Sequence, residues 1–100
     1  MKPSDAMIES FLSRLRKAVF DGRVRFSHYA AEDLQDMAWS RNDALDQLAS
    51  LNLDDFLRIE TSRVDTLPIW VFQPDDPWFD ALWIRLVERS GVVVISFHQG

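Results

Sequence analysis

One hundred residues, 47% of them hydrophobic, suit a single domain spanning 1–100, because so small a chain needs most of its apolar residues for one core. No run approaches the roughly 20 apolar residues of a membrane helix, no signal-like segment opens the chain and there is no cysteine; the expectation is a cytoplasmic protein without disulfide, thiolate metal site or membrane role. Sixteen acidic against eleven basic residues leave a net charge of −5, the wrong sign for holding nucleic acid by bulk electrostatics, so any RNA contact must be local.

Ser4 and Asp5 can cap a helix whose apolar stripe, Ile8, Phe11, Leu12, Leu15 and Val19, ends near Gly22. Arg14, Arg16 and Lys17 lie off that stripe, as a solvated face would. The segment Arg23-Val-Arg-Phe26 is long enough only for an edge strand. Ser27 then offers an N-cap for a second helix from about His28 to Met37. In its first turn the helix dipole disfavours an imidazolium, so His28 suits local hydrogen bonding or packing. Ser40 followed by Asp43 reads as a capping box opening a third helix that turns Ala44, Leu45, Leu48 and Leu51 inward, and Trp39 is a wedge between the two helices.

From Leu53 the period changes to two. Leu57, Ile59 and Thr61 point one way and Phe56, Arg58 and Glu60 the other. Leu67 to Gln73 is apolar on both faces, as an interior strand would be, with Pro68 at its start and Trp70 leaning to the core. Gln73-Pro-Asp-Asp-Pro-Trp78 is turn chemistry, in which Asp75 and Asp76, with Asp80 beyond, are turn and capping residues rather than metal ligands. In the closing hairpin Leu82, Ile84 and Leu86 form one apolar row and Val93, Ile95 and Phe97 another. With Ser90-Gly91 as a two-residue turn, Arg89 pairs with Val92, Leu86 with Ile95 and Ile84 with Phe97. The opposite face then sets Trp83 against His98 and Arg85 against Ser96. Helices first and a mainly antiparallel sheet second make an α+β fold.

Five segments occur in the order and spacing of a known family: Asp21-Gly-Arg-Val-Arg25, Leu53-Asp-Asp-Phe56, Ile69-Trp70, Leu82-Trp-Ile-Arg85 and Val93-Val-Ile-Ser-Phe-His98. Over about residues 12 to 100 the chain resembles MqsR-type toxins, small ribonucleases of bacterial toxin–antitoxin pairs with a RelE-like fold. That resemblance implies N-terminal helices on a twisted sheet, a cognate antitoxin as partner and single-stranded mRNA as substrate. It further implies cleavage without metal or other cofactor, by attack of the ribose 2′-hydroxyl on the adjacent phosphorus. The lysine these toxins carry on their first long strand falls at Arg58, an aromatic hydroxyl at Trp83, a glutamine at Val71 and a second lysine at His98.

Such chemistry needs a proton carrier and fixed positive charge on the phosphorane. Histidine alone among the side chains at hand titrates near neutrality, which makes His98 the candidate for proton transfer. Arg58 and Arg85 do not lose their protons; they clamp phosphate or pair with a carboxylate. Trp83 can stack an unpaired base or be covered by the fold, and Ser96 completes the substrate side of the face. Two functions stay open on these residues. One is a metal-independent endoribonuclease toxin; the other is a RelE-like interaction module without catalysis that binds a partner protein through its sheet or edge strand.

Overall fold

The computed structural model describes residues 2–76 and 82–99. Helix α1 (Asp5–Phe20) starts where Ser4 Oγ accepts the Met7 N–H at 3.2 Å. It buries Ile8, Phe11, Leu12, Leu15 and Ala18; Val19, expected on the inward stripe, sits half-buried at its margin. Strand β1 (Val24–Phe26) leads into α2 (His28–Asp36), capped by Ser27, and α3 (Arg41–Ala49) opens on the Ser40–Asp43 capping box. Trp39 meets the Phe97 ring edge-on at 6.0 Å between them. Residues Leu53–Asp55, expected to begin the strand region, form a 3-10 turn capped by Asn52.

The sheet follows as β2 (Phe56–Thr61), β3 (Pro68–Phe72), β4 (Leu82–Glu88) and β5 (Val92–Gln99). Its order is β1-β5-β4-β3-β2; the last four strands in sequence form an antiparallel meander and β1 joins β5 in parallel. The fold is α+β, and the helices share one apolar cluster with one face of the sheet, including Trp70, Phe72, Ile84, Leu86 and Phe97. Phe11 is the centre of that contact, stacked on Trp70 at 4.4 Å and on Phe72 at 5.9 Å. Among the described residues no helix is long and apolar enough to cross a membrane.

Two irregularities correct the simple alternation. A register shift between Phe56 and Arg58 turns Phe56 to the core side, where it meets Trp70 and Phe72, rather than sharing a face with Arg58 and Glu60. A second shift pairs Leu86 with Val94 instead of Ile95, and among the described side chains of β5 the buried ones are Val92, Val94 and Phe97. The side chains of Val93 and Ile95 lie outside the described ones. The turn is one residue longer than expected: Glu88 pairs with Val92 and Arg89, Ser90 and Gly91 connect the strands, with Ser90 at φ 54° and Gly91 at φ 128°. A Cβ on Gly91 would stand 2.7 Å from the Arg23 carbonyl oxygen, so both backbone conformation and close approach call for glycine there. A bulge offsets a longer turn by one residue, which is how Trp83, Ile84 and Arg85 keep the register expected from the strand ends. Trp78 and Asp80 lie outside the described residues.

Candidate functional site

The site face is set by pleating. Since Trp70, Phe72, Ile84, Leu86 and Phe97 face the helices, Val71, Trp83, Arg85, Val87, Ser96 and His98 take the other side of the sheet. Val71 and Val87 are fully buried without belonging to the main core and form an apolar floor on that side. Across the end of the sheet, Arg89 ties down the β2–β3 loop, donating to Ser62 Oγ at 3.1 Å and to Asp65 Oδ1 at 3.0 Å. The Arg89 hydrogen bond holds the Asp65 carboxyl far below the usual range.

Trp83 pairs with His98 and Arg85 with Ser96. The indole and imidazole rings are stacked, 5.5 Å between centroids and 19° between planes. His98 is exposed at the open end of β5, and the aromatic plate beneath it is half-buried. Strand β1 accompanies β5 only as far as Val94; beyond that point Asp33 of α2 accepts the Phe97 N–H at 2.9 Å. Asp33, Asp36, Phe97 and His98 together line an open hollow of about 320 Å³.

Arg58 and Arg85 arrive from strands two apart and meet at one carboxylate. Glu60 Oε2 accepts from Arg58 Nε at 2.8 Å, while its Oε1 lies 3.0 Å from Arg85 Nε. The second contact is an ion pair by distance, but the Arg85 Nε–H is not aimed along it, and that nitrogen remains without a hydrogen-bond partner. Burial pushes the Glu60 carboxyl up, but the Arg58 hydrogen bond and the charges of both arginines outweigh it and hold the group below its ordinary value. Glu60 is therefore an anion at neutral pH, and the three side chains carry a single net positive charge.

Two further buried atoms on this face lack hydrogen-bond partners: Trp83 Nε1 and Ser96 Oγ. An indole N–H, a guanidinium N–H and a hydroxyl thus lie on neighbouring positions of two paired strands with unmet hydrogen-bonding capacity. Each of the three atoms is shut off from solvent, so the groups of this face that a ligand can reach are the exposed His98 and Arg58 and the uncovered part of Arg85. No family model matches the chain, and no curated protein matches it.

The five residues singled out from the sequence, His98, Arg58, Arg85, Trp83 and Ser96, share this face, and Glu60 joins Arg58 to Arg85. Glu60 was the missing member. It follows Arg58 by two residues on a strand, a spacing that places both on one face and could have signalled the pair. Nothing local in the helical sequence marks Asp33 as the group that closes the edge of β5. His28 stays apart from the site, exposed, with Nε2 2.8 Å from Glu32 Oε1. Among the described residues no group of three or more potential ligands is placed to hold a metal.

Proposed function

We propose that the protein is the toxin of a bacterial toxin–antitoxin pair: a RelE-like, cytoplasmic endoribonuclease that cuts single-stranded mRNA without metal and is silenced by a cognate antitoxin. The observation that carries this reading is the stacked Trp83–His98 pair, with His98 exposed and with Arg85 and Ser96 on the neighbouring paired positions. A base can stack on the exposed imidazole end of the pair while the adjoining phosphodiester meets the uncovered part of the Arg85 guanidinium. The 2′-hydroxyl then attacks phosphorus, the P–O5′ bond breaks, and a 2′,3′-cyclic phosphate and a 5′-hydroxyl result. His98 carries the proton to or from the reacting oxygens, and the arginines stabilise the phosphorane.

The test is incubation of the purified chain with a single-stranded oligoribonucleotide in chelator at low salt. Cyclic-phosphate products that vanish when the scissile ribose is replaced by deoxyribose, and fall at least tenfold in His98→Ala and Arg85→Ala, support the reading. Cleavage unchanged in both variants rejects this site.

One observation favours the second reading, a RelE-like module that binds a partner protein and does no chemistry. Glu60 already occupies the inward sides of Arg58 and Arg85, the two cations a phosphodiester would need. Absence of salt-dependent binding to single-stranded RNA would decide for the module.

A further inference from the structure

The outer edge of β2 is open: among the described residues no strand pairs with it, although it spans six residues. Its hydrogen-bonding phase is fixed by the neighbouring bond from Ser62 N–H to the Leu67 carbonyl at 2.9 Å. Alternation along an antiparallel pair then turns the N–H and C=O of Glu60 towards β3 and those of Ile59 and Thr61 outward. Thr61 faces Pro68, which has no N–H to give, in agreement with that phase.

We infer that this edge joins a second copy of the chain, β2 against β2, antiparallel about a twofold axis at Ile59. In that register the outward groups of Ile59 bond to those of the other Ile59, and Thr61 lies opposite Leu57 of the second copy, the residue at which β2 bulges. Arg58 of each copy then falls directly opposite Glu60 of the other, in the closely spaced, non-hydrogen-bonded pairing where side chains approach best. The strand is thus complementary to itself in both hydrogen bonding and charge. A shift of one residue in the register sum loses both matches together.

Apolar surface is gathered at the same edge. Met7 is 56% exposed and Leu57 38%, and an open hollow of about 470 Å³ lined by Pro3, Met7, Ile59, Pro68 and Trp70 lies on the helix side of β2. Twofold pairing brings Ile59 of the second copy beside that hollow, so that each copy helps cover the other's. Closure by a twofold also removes the free edge that would otherwise template open-ended pairing.

The experiment is sedimentation velocity on the full chain over a wide concentration range, with circular dichroism on each variant. The expected result is a reversible shift from one chain mass to two. Reversal of one charge, Arg58→Glu or Glu60→Arg, sets two like-charged pairs across the axis and weakens dimerisation by about tenfold, while the double reversal restores it. Thr61→Pro removes an outward N–H and weakens the dimer without changing the dichroism of the monomer. A single-chain mass at every concentration, growth beyond two chains, or a double reversal no better than the single ones would overturn the inference. None of these readouts depends on RNA cleavage.

Discussion

Asp33→Ala tests how a helix holds the strand end that carries the candidate proton carrier. The carboxylate of Asp33 accepts the Phe97 N–H at 2.9 Å, at the point where β5 has run past its partner β1. A hydrogen bond to a charged group contributes about 1.5–3 kcal/mol, and the half-buried position of Asp33 places this one near the lower end. Alanine is the better helix former by up to about 0.7 kcal/mol, which offsets part of the loss. The net expectation is about 1 kcal/mol, or roughly 4–8 °C in Tm for a domain of this size. Urea and thermal denaturation measure the global change. Amide hydrogen exchange measures the local one, and the Phe97 amide should exchange faster while the amides of α1 do not. Asp33→Asn keeps a carbonyl acceptor and should recover most of the protection. Asp36→Ala on the same helix is the control and should leave Phe97 unchanged. Unaltered Phe97 exchange in Asp33→Ala would refute the claim that α2 closes this edge.

Three further outcomes follow from the same structure. Phe11→Ala removes a fully buried ring stacked on Trp70 and should destabilise the fold by about 3–5 kcal/mol in urea, enough to threaten folding of a domain of this size. Trp83→Ala should weaken binding of a single-stranded oligoribonucleotide by about 1–3 kcal/mol in fluorescence anisotropy, whereas Trp83→Phe, which keeps a stacking ring, should lose less; equal affinity for all three proteins would remove stacking from the site. Acid should unfold the chain through Glu60 and Asp65, whose carboxyls are both held below their ordinary values of 4.5 and 3.8. A lowered folded value contributes stability that is present above the unfolded value and lost as pH falls through the folded one. The urea midpoint should therefore be flat near neutrality and decline from about pH 5 downward; Arg89→Met should reduce the part of that slope that Asp65 supplies.

The helices were legible because their determinants are local. Ser4, Ser27 and the Ser40–Asp43 pair each cap the helix they precede, and the apolar spacing in α1 names four of its five buried residues before Ala18. Alternation in the closing strands was enough to bring Trp83 to His98 and Arg85 to Ser96, since pleating alone decides which neighbours share a face. Where a strand carries a bulge, alternation fails: Phe56 and the pairing of Leu86 both changed, because one extra residue inverts every face beyond it.

What belongs to the sequence is the set of elements, their caps and the two-residue period that sorts side chains into faces. The fold alone decides which elements meet. Parallel addition of β1 to β5, the reach of Asp33 from α2 to Phe97, and the meeting of Arg58 and Arg85 at Glu60 all join residues far apart along the chain or two strands apart in the sheet. Such contacts depend on strand order and on where a neighbouring strand stops, and neither leaves a periodic trace in the chain.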